Sequence, residues 1–165
     1  MLIIFGFILK EKYYTMGYMQ IAEEISQLIK SVYPVIYLET GEKARAIEQL
    51  KSIAKQNGLL FFVWSASSGL RPDHLDGSYY RSRDPEMMLM TLLEILKPRK
   101  NADIPEGLFV LQNFEKYMYD QGVTRVFLDL INRIRNTKST VVIISHEYYL
   151  PKNIAVESAH VKPVF

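Results

Sequence analysis

Cysteine is missing from the 165-residue chain, and that absence closes several routes at once. Disulfides, thiolate zinc sites and cysteine nucleophiles are all excluded. A chain without cysteine fits a reducing compartment, and the cytoplasm is the expected location. Charge of one sign is also scarce, with a net charge of +2 at neutral pH. A protein that held nucleic acid through its overall field would carry a larger excess. Long apolar runs are absent too. The N-terminal run from Leu2 to Leu9 falls well short of the ~20 residues that span a bilayer, so no membrane span is expected. Lys10 and Lys12 follow this run rather than precede it. Tyr13-Tyr14-Thr15-Met16 offers no small-residue cleavage site, so the run does not read as a secretory signal. Residues 1–15 read as an apolar extension, either an added edge strand or a stretch ahead of a unit that starts near Met16 or Met19. Residues 16–165 read as one domain.

What is present is ordinary for a globular domain. Hydrophobic residues make up 48% and charged residues 23%, and the length suffices for one sizeable core. Ile21, Ile25, Leu28, Ile29 and Val32 recur at helical spacing, which predicts a helix from about Met19 to Val32, stopped by Pro34. Val35 to Glu39 is a short run of strand formers, punctuated by Thr40-Gly41. Ile47, Leu50, Ile53 and Ala54 mark a second helix from Lys43, closed by Asn57-Gly58. Leu59 to Trp64 is continuously apolar, as a strand covered on both faces must be. Ser65 to Arg83 then reads as a polar loop of about 19 residues, far above the usual four to six.

Asp84-Pro85 opens a third helix with the stripe Met88, Leu89, Leu92, Leu93 and Leu96. Gly107 to Gln112 is a third strand, and Val123 to Ile134 a long helix. Thr140 to Ser145 is a fourth strand, and Val161 to Phe165 begins a fifth. Solidly apolar strands alternating with helices predict an α/β three-layer sandwich around a mostly parallel sheet.

In such sheets ligands sit beyond the C-terminal ends of the strands. A phosphate-binding loop of the G-x-x-x-x-G-K-[ST] type would follow the first strand. The segment there is Glu39-Thr40-Gly41-Glu42-Lys43-Ala44. It has one glycine, it is too short to encircle a phosphate, and Ala44 stands where the magnesium-binding hydroxyl belongs. Glu39 and Glu42 would repel a polyphosphate. Lys43 reads first as a surface lysine at a helix start, where a weak anion contact is the alternative. After the third strand, Asn113 stands where a metal-binding aspartate is expected, and an amide is the poorer magnesium ligand. Glu115 reads as a solvated helix-start glutamate. Ser145-His146-Glu147 is not a triad, because adjacent residues cannot reach that geometry and no G-x-S-x-G elbow exists. His74 and His160 show no ligand spacing, so no metal is expected. Arg71, Tyr79, Tyr80, Arg81 and Arg83 gather around the long loop. They read first as a solvated loop whose tyrosines cover the sheet edge, then as a protein interface, then as a surface for single-stranded nucleic acid.

Leu28 to Thr40, Phe62-Val63-Trp64-Ser65 with Gly69-Leu70, Phe109 to Tyr117 and Val141 to Ser145 together resemble a known family. It is the degenerate, NTPase-like N-terminal domain of the AAA-family ATPases of cyanobacteria and plastids. The resemblance implies a five-stranded P-loop-NTPase (AAA/RecA)-like sheet of order 5-1-4-3-2, with the active ATPase module downstream. It also marks Ser145 as the strand-tip position that senses the γ-phosphate in AAA proteins. Family members often carry an aspartate where Asn113 stands here, which weakens a metal role. The expected function is a catalytically silent binding or regulatory domain that docks on a protein partner, either an AAA module or another copy. No catalytic residue and no cofactor are expected. The alternatives are weak ATP or ADP binding with magnesium through Gly41, Lys43, Asn113 and Ser145, and a nucleic-acid adaptor acting through the 65–83 loop.

Overall fold

The computed structural model describes residues 21–162. The Leu2–Leu9 run, the boundary near residue 15, the start of the first helix and the chain end beyond Lys162 lie outside the described residues. Residues 21–30 belong to that first helix, α1, which buries Ile25 and Ile29. The strands are β1 (Val35–Glu39), β2 (Leu60–Ser65), β3 (Gly69–Pro72), β4 (Gly107–Gln112), β5 (Thr140–Ser145) and β6 (Ser158–Val161). The remaining helices are α2 (Lys43–Gln56), α3 (Pro85–Ile95), α4 (Gln121–Ile134) and the short α5 (Lys152–Ala155).

The strands form one sheet of order β3-β2-β4-β5-β1-β6, parallel except for β3 against β2. With β3 set aside, this is the expected 5-1-4-3-2 order. The strand period of two sends alternate side chains to opposite faces. Tyr37, Trp64, Leu111 and Ile143 meet α3, α4 and α5 on one face. Ile36, Phe61, Val110 and Ile144 meet α1 and α2 on the other. Each fully buried large side chain here stabilises the fold by about 1.5–3 kcal/mol. Asp84 caps α3 by accepting from the Met87 amide at 2.9 Å, with Pro85 in the first turn. Asp120 caps α4 in the same way through the Val123 amide at 3.0 Å.

Two expectations need correction. The 65–83 segment is not a loop throughout, because Gly69–Pro72 turns back as an antiparallel edge strand. Gly69 takes φ +74, a left-handed conformation suited to glycine, and a Cβ there would stand 2.7 Å from the Ser82 hydroxyl. That hydroxyl donates to the Tyr79 carbonyl and accepts from the Leu70 amide, while the Trp64 indole donates to the Ser82 carbonyl. One buried serine thus ties the returning segment to the hairpin. The last strand begins earlier than expected, at Ser158, since α5 turns the chain back at once, and among the described residues of the expected strand Val161 belongs to it and Lys162 does not.

Candidate functional site

Register places the candidate residues together. Glu39 pairs with Ser145, Gln112 pairs with Ile144, and the Thr40 amide donates to the Ser145 carbonyl at 2.8 Å. Gly41, Lys43, Asn113 and Ser145 therefore share the C-terminal edge of the sheet, as expected.

The side chains at this edge bond mainly to one another. Ser145 is fully buried, and its hydroxyl donates to Glu115 Oε1 at 2.8 Å and accepts from the Glu147 amide at 3.2 Å. Glu115 is not the solvated helix-start residue that the sequence suggested, for it is only 5% exposed. Asn113 causes this. It takes φ 53, a left-handed conformation that asparagine tolerates better than most residues. The 3-10 turn that follows, Phe114–Tyr117, drives Phe114 into the core beside Trp64 and Phe127 and carries Glu115 inward with it. Asn113 Oδ1 and Glu115 Oε2 are buried acceptors without a donor among the described residues. Tyr37 completes the cluster, its hydroxyl donating to the Glu147 carbonyl. Burial, and then the charge of Glu115, push the Tyr37 phenol up to about 12.

A second group, missed at the sequence level, lies at the tips of β1 and β6. The Glu39 carboxylate meets His160 Nε2 at 2.7 Å and Lys162 Nζ at 3.5 Å. The bond to His160, helped by Lys162, holds the Glu39 carboxyl below the usual carboxylate range. The His160 ring stacks on Tyr148, with centroids 4.0 Å apart and planes at 18°. The signal was in the alternation of β6. His160 registers with Tyr37, so His160 and Lys162 share the face onto which Glu39 projects.

Thr40, Gly41 and Glu42 alone connect β1 to α2. A Cβ on Gly41 would meet open space, so nothing approaches this glycine closely. Lys43 is half-buried at the first position of α2. Around the long segment, Arg71, Tyr80, Arg81 and Arg83 are exposed. The Arg81 guanidinium lies 5.6 Å from the Tyr80 ring centroid, whereas Tyr79 packs against the core. Among the described residues no group of three or more His, Cys, Asp or Glu is arranged to hold a metal. Nor is any described helix long and apolar enough to cross a membrane.

Comparison with known proteins agrees with this architecture. The family model of the SpoVK-like AAA ATPase, N-terminal domain, matches residues 21–162. The AAA domain-containing protein ycf46 of Guillardia theta is 27% identical over 140 residues, which is 84% of this chain and 26% of that protein. Its counterpart in Trieres chinensis is 23% identical over 137 residues, 82% of this chain and 26% of that protein. The chain thus spans about a quarter of the length of these relatives. Among solved structures, a DNA replication initiation factor superposes with a TM-score of 0.53 at 12% identity, covering 87% of this chain and 44% of the other. A chain of Drosophila ORC bound to DNA superposes with a TM-score of 0.55 at 7% identity, covering 88% and 89%. At such identities the likeness is one of fold, and that fold is P-loop-NTPase-like.

Proposed function

The chain belongs to the SpoVK-like AAA ATPase N-terminal domain family, and from that premise we propose that it is a catalytically silent AAA-type domain acting as a protein-binding or regulatory module. One observation carries the reading. The Ser145 hydroxyl, at the strand tip where AAA proteins sense the γ-phosphate, is committed to Glu115 and to the Glu147 amide. The turn after β1 supports it. A phosphate cradle needs a glycine-rich loop whose backbone amides converge on the anion, and here only Thr40, Gly41 and Glu42 connect β1 to α2. A magnesium nucleotide would also meet Glu39, whose carboxylate already pairs with His160 and Lys162, and would find Asn113 in place of a carboxylate. The two unpartnered acceptors at Asn113 and Glu115 fall far short of the six oxygens that magnesium takes.

The test is calorimetric titration with ATP and ADP, with and without magnesium. No heat at millimolar nucleotide is the expected result. Saturable, magnesium-dependent binding at micromolar concentration would instead establish the residual nucleotide-binding reading through Gly41, Lys43, Asn113 and Ser145. The nucleic-acid reading draws on Arg81 over Tyr80, and a steep salt dependence of oligonucleotide binding would identify it. The partner, an AAA module or a second copy, and the cytoplasmic location belong to the same proposal.

A further inference from the structure

Apart from the strand-tip cluster, a groove of about 460 Å³ runs between the start of α4 and the segment that follows β5. Met118, Leu128, Tyr149 and Pro151 give it an apolar lining. On it the rings of Tyr119 and Tyr149 lie parallel, with centroids 4.1 Å apart and planes at 10°. Tyr119 is 70% exposed, so its aromatic surface is open to a partner. Arg125 is the one charged residue in the lining, is exposed, and has no ion pair among the described residues.

The walls are fixed beforehand. The Thr124 hydroxyl bonds the Met118 and Asp120 carbonyls, both at 3.0 Å, and Asp120 caps α4. A pre-organised groove spends little of its binding energy on ordering itself. Aromatic and arginine side chains around an apolar centre are the residue types that dominate protein interfaces.

We propose that this groove docks a segment of a partner protein in which an aromatic or aliphatic side chain adjoins a carboxylate. The apolar side chain packs against the stacked Tyr119 and Tyr149 rings, and the carboxylate takes the Arg125 fork, which matches it with two parallel hydrogen bonds. A nucleic-acid strand fits less well, because one cation in the whole lining cannot neutralise a row of phosphates. The inference rests on the reading of the chain as a protein-docking domain and names the surface and the chemistry of the partner.

The experiment uses the ¹⁵N-labelled full chain and four probes: acetyl-Phe-Asp-amide, acetyl-Phe-Lys-amide, single-stranded oligothymidylate and magnesium ATP. The aspartyl peptide is expected to shift the amides of Gln121, Arg125 and Tyr149 at millimolar concentration, and the lysyl peptide to leave them in place. Arg125→Glu, an exposed change, should weaken the aspartyl peptide about ten-fold or more and transfer the preference to the lysyl peptide. Tyr119→Ala should weaken both peptides in that variant. Silence with both peptides, equal shifts with both, or shifts at these amides from the oligonucleotide would each overturn the proposal. Shifts from magnesium ATP at Gly41 and Lys43 would instead sink the silent-domain reading, and the peptide arms would still decide the groove.

Discussion

Replacing Ser145 with alanine is the sharpest perturbation of the strand-tip cluster. In the folded chain the Ser145 hydroxyl donates to Glu115 Oε1 at 2.8 Å, while Oε2 has no partner among the described residues. Ser145→Ala leaves both oxygens of a carboxylate only 5% exposed without a donor. Hydrogen bonds to charged groups contribute about 1.5–3 kcal/mol, and stranding the buried partner adds to the loss. The Glu147 amide also loses its acceptor, but it lies nearer to solvent and water can replace it. The expected destabilisation is therefore about 2–3 kcal/mol, or roughly 5–10 °C in melting temperature for a chain of this length. Urea unfolding followed by the fluorescence of the single, buried Trp64 reads this directly, provided that the transition is two-state. The same change in a Glu115→Leu background should cost less than about 0.5 kcal/mol, since no buried acceptor remains to be stranded. A loss below about 0.5 kcal/mol for Ser145→Ala alone would refute the reasoning. It would mean that the hydroxyl is free for a ligand, as a nucleotide sensor requires.

Other outcomes follow from single residues. Tyr37 has its phenol raised to about 12, so the stability this contributes is full below the ordinary tyrosine value near 10 and is lost as pH rises through about 12. The difference in 295 nm absorbance between wild type and Tyr37→Phe should therefore appear only near the top of an alkaline titration, and a step near pH 10 would contradict the buried environment. Glu39 is depressed by His160. Its contribution is present above the unfolded value near 4.3 and is lost as pH falls below it, so Glu39→Gln should flatten the acid limb of urea midpoints measured from pH 6 to 3. Parallel limbs would count against the ion pair. Gly69→Ala forces a left-handed conformation on alanine and sets its Cβ against the Ser82 hydroxyl. A loss of about 2 kcal/mol in chemical denaturation, with faster proteolysis of the 73–83 segment, is expected. Asp84→Ala and Asp120→Ala should each cost about 1 kcal/mol, and additive losses in the double mutant would show that the two caps act independently.

The parts of the fold that sequence could disclose are those governed by local rules. Val141 to Ile144 and Leu108 to Leu111 are apolar at every position, and only a strand covered on both faces requires that. Asp84-Pro85 announced the start of α3 because capping is a property of a few adjacent residues. The site was legible as a place, since Gly41, Lys43, Asn113 and Ser145 did come to one edge. Its chemistry was not. Glu115 turns inward because Asn113 adopts a left-handed backbone and Phe114 is drawn between Trp64 and Phe127, a contact among three separate elements. β3 was hidden for a related reason. Gly-Leu-Arg-Pro is short and bounded by residues that usually break strands, and a hydroxyl twelve positions away, on Ser82, holds it in place. His160 carried no motif, and only its register against Tyr37 brings it to Glu39.

These bonds also bear on how the polar groups at the strand tips find partners in this fold. The strand tips of a parallel sheet present polar groups that need partners, and in a working NTPase much of that need is met by phosphate oxygens and magnesium. Here Glu115 takes the Ser145 hydroxyl, Glu147 engages both Ser145 and Tyr37, and Glu39 takes His160 and Lys162. Glu115 follows β4, Glu147 follows β5 and Lys162 follows β6, so these bonds tie three strand ends to one another and to β1. Restoring a phosphate site would thus take more than a longer glycine loop after Glu39. Ser145 would have to be released from Glu115 and Glu39 from His160 and Lys162, and each release strands a partner at the same edge. A graft of a phosphate-binding loop alone, in place of residues 40–42, should therefore gain no nucleotide affinity in calorimetry. Micromolar affinity from that graft would show that the network yields readily, and the case for a silent domain would fall with it.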